Sequence, residues 1–131
     1  MSVEPQPARD TLLAELRDHA LVIGEVTLSS GQTASYYVDA RRALLRPAAF
    51  RAAGELIVGF AKEVGADAVG GPATAAIPLA CAAIATPAGS GLVGFFVRGE
   101  RKEHGLQRWV EGPVERGAPC CGPPPSGPPA S

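Results

Sequence analysis

The chain has 131 residues, enough for one small domain, and its 12 Lys and Arg nearly balance its 13 Asp and Glu. That balance excludes a general nucleic-acid or membrane-surface binder and leaves room only for a local anion site. No apolar run approaches the roughly 20 residues that span a bilayer, and the polar first ten residues lack the basic and apolar regions of a signal peptide. Cys81 and the adjacent Cys120 and Cys121 fit neither a disulfide framework nor a zinc-ligand spacing, so a reducing cytoplasm is the expected location and no metal ligand set is expected.

In chain order, residues 1–9 are expected to be a disordered N-terminus. Asp10 reads as an N-cap, and Leu12, Leu13, Leu16 and Ala20 then recur at helical spacing. Val26-Thr27-Leu28 and Tyr36-Tyr37-Val38 are β-rich runs separated by Ser29-Ser30-Gly31, which predicts a hairpin-like pair. Pro47 suits a first helical turn, Phe50, Gly54, Ile57, Ala61 and Val64 follow one face, and Gly65 supplies a stop.

Asp67 to Gly71 predicts a short apolar strand that ends in Gly-Gly-Pro. Thr74 to Ala85 predicts a small-residue helix with Pro78 near its start, and Leu92 to Val97 a second buried strand. Strand, helix and strand with short links imply a right-handed parallel crossover, hence an α/β sheet. Ligands of such sheets lie beyond the carboxyl ends of the strands, here Gly70-Gly71-Pro72 and Arg98-Gly99. The segment from Arg98 to Arg108 carries four Arg or Lys and His104, flanked by Gly99 and Gly105. Taken alone it would be a solvated charged loop. Six of the last thirteen residues are proline, so the tail 117–131 is expected to supply few sheet donors and to be disordered.

Three of these segments together resemble the bacterial orotate phosphoribosyltransferases, of the type I phosphoribosyltransferase fold. Val26-Thr27-Leu28-Ser29-Ser30-Gly31 with Tyr36-Tyr37-Val38-Asp39-Ala40-Arg41-Arg42 is similar to the family's hood. Val69-Gly70-Gly71-Pro72 resembles the strand end that opens its pyrophosphate loop. Phe96-Val97-Arg98, Lys102, His104-Gly105-Leu106-Gln107-Arg108 and Glu111-Gly112 are similar to its mobile catalytic loop and the strand after it. Order and spacing agree from about Leu12 to Gly117.

The resemblance implies an α/β domain over 10–116, with a hood at about 10–45 and a parallel-sheet core at about 46–116. It implies an enzyme that joins orotate to the ribose of phosphoribosyl pyrophosphate, releasing pyrophosphate and giving orotidine monophosphate in pyrimidine synthesis. Mg2+ would accompany the donor, and a homodimer would let the catalytic loop reach the partner's site. Arg98, Lys102 and His104 would then be the catalytic residues. Substrate would be bound by Ser29, Ser30, Tyr36 and Tyr37, and by Gly71, Pro72, Ala73 and Thr74 through backbone N–H groups at a helix N-terminus.

The sequence also departs from the family. After Glu115-Arg116-Gly117 the family continues with an apolar strand, two adjacent acidic residues and a Thr-Thr-Gly-Gly-type loop for the donor. Here a Pro-Gly-Cys tail stands instead. A truncated or frameshifted reading with impaired or absent activity, an incomplete sheet and a marginal fold is therefore expected. The alternative is a non-catalytic remnant that binds ligand weakly or pairs with an intact subunit. A different phosphoribosyltransferase or a regulator of the same fold fits the Tyr36-Tyr37 hood less well. Gly99 stands where the family has a second lysine, and Ala75-Ala76-Ile77 where it has Gly-Ala-Asp, with Ala75 expected to restrict the backbone. His19, Asp39, Arg41 and Arg42 read as capping or surface pairing, and Cys81 as a small core residue.

Overall fold

The computed structural model describes residues 7–99 and 109–121. The first helix, α1, runs Pro7–Glu15 and continues as a π-helical turn over Leu16–Ala20. It begins three residues before the expected cap. Proline at a helix start needs no N–H partner, so Pro7 opens the helix and Asp10 falls in its first turn. Residues 7–9, assigned to a disordered terminus from sequence, are therefore helical.

Strands β1 (Leu21–Thr27) and β2 (Thr33–Val38) form an antiparallel pair, longer than the sequence suggested. Leu21 was missed because the register slips between Ile23 and Val26, at Gly24 and Glu25, which breaks the alternation that marks a strand. A short helix, α2 (Arg41–Leu44), leads into α3 (Pro47–Val64).

The α3 boundaries follow from two residues. Arg46 is extended, as a residue before proline must be, and Pro47 begins the helix. Gly65 ends it in the left-handed region at φ 71°, where its N–H bonds the Lys62 carbonyl at 3.2 Å and that of Ala66 bonds Ala61 at 2.8 Å. The buried face differs from the expected one. Ala49, Ala52, Ala53, Gly54, Val58 and Ala61 are buried, whereas Val64 is 52% exposed. α3 packs against both α1 and α4 (Ala76–Ala85), and helices that approach on alanine and glycine leave larger side chains at the rim.

β3 (Ala68–Pro72) pairs parallel with β4 (Val93–Val97) across α4, so the expected crossover and α/β class are present. β5 (Val110–Glu111) adds antiparallel to β4. The sheet order is β5-β4-β3-β6, and β6 is Cys120–Cys121, parallel to β3. The tail assigned no place in the sheet therefore contributes two residues to it. Asp67 N–H also bonds the Pro119 carbonyl at 2.8 Å. Proline keeps its acceptor although it lacks a donor, and the sequence reading weighed only the donor.

One core cluster joins Val58, Ala61, Val69, Ala80 and Ala83, with Ile57, Leu92 and Cys121 against it. Another joins Ala20, Ala43 and Ala49 beneath Leu12 and Leu16. Most of these residues are alanines, while Ile23, Leu45 and Phe60 are 81%, 71% and 55% exposed. Little apolar area is buried per residue, which limits the hydrophobic term.

Candidate functional site

The carboxyl ends of β3 and β4 lie side by side because their register is continuous over five pairs, from Ala68 with Val93 to Pro72 with Val97. Gly70 makes this possible: a Cβ there would run into the Phe95 carbonyl and ring. Beyond Pro72, the Ala73 N–H donates to the Val97 carbonyl at 2.8 Å, and the Ile77 N–H donates to the Thr74 carbonyl at 3.1 Å. The peptide between Ala73 and Thr74 is cis. Gly71, Pro72, Ala73 and Thr74 thus form one tethered loop that leads into α4.

Arg98 follows Val97 directly. Its N–H donates to the Trp109 carbonyl at 2.7 Å, and its Nη1 stands 3.8 Å from Glu111 Oε1. Trp109 therefore fixes Arg98 by its backbone carbonyl, and Glu111 of β5 by charge. Sequence reasoning quoted Glu111 only as part of a strand. The signal was strand pairing, because Glu111 sits opposite Phe96, two residues before Arg98 and on the same side of β4. Lys102 and His104 lie outside the described residues.

The hood hairpin is a separate two-stranded sheet. Leu28 N–H bonds the Gln32 carbonyl at 2.8 Å and Gly31 N–H bonds that of Leu28 at 2.9 Å, closing a turn with Ser29 and Ser30 exposed at its tip. Tyr36 pairs with Ile23 and Tyr37 with Val22, and the two rings are 59% and 39% exposed on opposite faces. Tyr36 stands three residues beyond Thr33, roughly 10 Å along the strand, so the tyrosines lie well away from the serines at the tip. Among the described residues, no hydrogen bond or ion pair links the hairpin to the Gly71–Thr74 loop.

Next to the hood, Arg41 Nε donates to Asp39 Oδ1 at 3.0 Å. That hydrogen bond holds the Asp39 carboxyl below its usual range and the Arg41 guanidinium above its own. The sequence reading of Asp39 and Arg41 as a surface pair matches this contact.

The departures at 75–77 take physical form. Ala75 has φ −61° and ψ −35°, ordinary helical values, so the expected restriction of its backbone does not arise. Ile77 lies in an apolar cleft of about 380 Å³ with Ile84, Phe95 and Glu111. A second cleft, of about 340 Å³, adjoins the loop between Ile57, Val69, Pro72, Ala76, Leu79 and Cys121. Among the described residues no charged side chain lines it. Cys81 is exposed, not a core residue. Among the described residues no three His, Cys, Asp or Glu come together in a group that could hold a metal ion. No helix among the described residues is long and apolar enough to cross a membrane.

No protein-family model matches the chain. The orotate phosphoribosyltransferase of Streptomyces avermitilis is 44% identical over 111 residues, covering 83% of this chain and 61% of that protein. The crystal structure of Mycobacterium tuberculosis H37Rv orotate phosphoribosyltransferase with Fe(III) dicitrate superposes with a TM-score of 0.76 at 38% identity, covering 88% of this chain and 66% of that one. The same mycobacterial enzyme in complex with 5-phospho-α-D-ribosyl 1-diphosphate gives 0.69 at 31% identity, covering 88% and 63%. The chain thus spans about 61% of the length of the Streptomyces relative.

Proposed function

We propose, from the premise that the chain belongs to the orotate phosphoribosyltransferase family, that its residues are the orotate-side and pyrophosphate-side part of that family's site. The family's enzymes are of glycosyltransferase type. As pyrophosphate leaves, the ribose carbon becomes oxocarbenium-like and negative charge gathers on the leaving group, so fixed donors and cations at the leaving group lower the barrier. Arg98 supplies a cation at the end of β4, and Lys102 and His104 extend that charge along the following loop. Backbone N–H groups of the Gly71–Thr74 loop meet the pyrophosphate, Tyr36 or Tyr37 stacks on orotate, and Ser29 and Ser30 offer hydroxyls to its oxygens. Mg2+, when bound with the donor, neutralises pyrophosphate charge. The working unit is a homodimer in the cytoplasm.

The observation that carries this reading is the β3–β4 register, which sets the tethered Gly71–Thr74 loop beside Val97 and Arg98 at one end of the sheet, in a chain 44% identical to a curated member. A second observation favours weak or absent turnover in the 131 residues. Among the described residues β6 pairs with β3 at Ala68 and Val69, and residues 118–131 read Pro-Gly-Cys-rich where the family has a Thr-Thr-Gly-Gly-type segment. The chain then acts as a non-catalytic remnant that holds orotate or pairs with an intact subunit.

The test is orotidine monophosphate formation from orotate, phosphoribosyl pyrophosphate and Mg2+ by the purified chain, beside its equilibrium binding of orotate. Orotate binding without turnover supports the reading. Turnover at a full-length relative's rate contradicts the impaired donor site, and failure to bind orotate contradicts the hood assignment.

A further inference from the structure

We propose that Cys120 is a site of thiol–disulfide exchange with low-molecular-weight disulfides, and that Cys121 resolves the mixed disulfide only when β6 has left β3. This exchange is independent of the orotate and pyrophosphate assignments above.

The two thiols adjoin in sequence but meet different surroundings. Side chains alternate along a strand, so Cys120 is exposed while Cys121 packs against the cluster of Val58, Ala61, Val69, Ala80 and Ala83. The Cys120 thiol donates to the Ala118 carbonyl at 3.2 Å. Cys121 borders the cleft beside Val69 and Pro72, and burial pushes its thiol up, which makes it the poorer first nucleophile. A disulfide between the two cannot close in the strand. Bridged cysteines have Cα atoms roughly 4.4–6.8 Å apart and Cβ atoms turned towards each other. Sequential residues are only about 3.8 Å apart, and a strand turns their Cβ atoms to opposite faces. Closing the ring therefore ends the pairing of Cys120 with Ala68 and of Cys121 with Val69. It also loosens the Asp67 and Ala68 N–H groups, which donate to the Pro119 carbonyl at 2.8 and 3.3 Å.

The chemistry balances in two exchanges. In the first, the Cys120 thiolate attacks one sulfur of the reagent disulfide. The reagent S–S bond breaks, a mixed disulfide forms on Cys120, and one reagent thiolate leaves and takes up the proton that Cys120 released. In the second, with β6 detached, the Cys121 thiolate attacks the Cys120 sulfur, forms the Cys120–Cys121 disulfide and expels the other reagent thiolate. The cysteine pair is oxidised and the reagent is reduced to its thiols, so no further oxidant is needed. A two-residue edge strand can open locally while the rest stays folded, and that opening sets the pace of the second exchange.

The experiment treats the folded 131-residue chain with hydroxyethyl disulfide, a small uncharged probe, and follows intact mass, peptide maps and amide hydrogen exchange. Peptide maps separate any adduct on Cys81, which is also exposed. The expected result is an adduct that accumulates on Cys120 and then converts to the Cys120–Cys121 disulfide, roughly ten-fold faster in urea below the unfolding transition than in buffer. In the oxidised chain the Asp67 and Ala68 amides should exchange faster than in the reduced chain, while those inside α3 keep their protection. Cys121→Ser should stop at the Cys120 adduct with Asp67 and Ala68 exchange unchanged. If no adduct forms on Cys120, or Cys121 reacts first, the exchange site is wrong. If the adduct never resolves even in urea, or the ring closes with no change at Asp67 and Ala68, the coupling to β6 release is wrong.

Discussion

β3 has two neighbours, and they hold it very differently. On one side β4 pairs with it along all five residues, while on the other, among the described residues, β6 pairs at Ala68 and Val69. The well-paired side positions the Gly71–Thr74 loop and Arg98. The poorly paired side leaves an apolar cleft beside Pro72 with Cys121 at its edge. The difference tracks the sequence. The β4 side lies within the stretch similar to orotate phosphoribosyltransferases, and the β6 side within the Pro-Gly-Cys segment that departs from them. The Gly71–Thr74 segment is therefore held chiefly from the β4 side among the described residues.

The contrast is broken most severely from the β4 side. Gly70→Val places a branched side chain against the Phe95 carbonyl and ring, and should lower unfolding stability in urea by about 3 kcal/mol or prevent folding. On the β6 side, Cys121→Pro removes one backbone donor from a two-residue strand and should cost only about 1 kcal/mol in the same titration. Equal losses would mean that the two edges matter alike.

Thiol chemistry sharpens the same comparison. Burial pushes the Cys121 thiol up, so in the folded protein it should be alkylated more slowly than exposed Cys120 at mildly alkaline pH, with the gap closing in urea. The sign follows from linkage: a pKa raised by folding contributes stability below the unfolded value, and that contribution is lost as pH rises through the folded one. The smallest effect concerns Asp39. Its folded pKa is depressed by Arg41, so its contribution is present above the unfolded carboxylate value near 3.8 and is lost as pH falls through the folded value. The stability difference between wild type and Asp39→Asn should therefore shrink towards zero in acid.

Much of this arrangement could be read before any coordinates. Pro47 and Gly65 bracket α3 because each has a conformational requirement of its own, independent of partners. The parallel β3–β4 pair followed from two short apolar runs joined by a helix. Contacts that depend on several elements at once were less visible. The alanine face of α3 emerged only from how closely α1 and α4 approach, which displaced Val64 to the surface. Glu111 became a partner of Arg98 only once β5 was set in register. β6 was missed because proline content was weighed over the β-capable pair Cys120-Cys121, which needs just one acceptor from Pro119 to begin. Ser29, Ser30, Tyr36 and Tyr37 were placed on a hairpin as expected, while the distance between tip and rings followed from the length of β2.

The most direct test of the account is to join residues 1–116 to the part of the Streptomyces avermitilis enzyme that follows its aligned region, and to assay orotidine monophosphate formation beside the 131-residue chain. The account predicts product from the folded fusion, a roughly hundred-fold or greater loss of it in the Arg98→Gln fusion, and little or none from the chain alone. Equal activity of the 131-residue chain, or a folded fusion that makes no product, would contradict it.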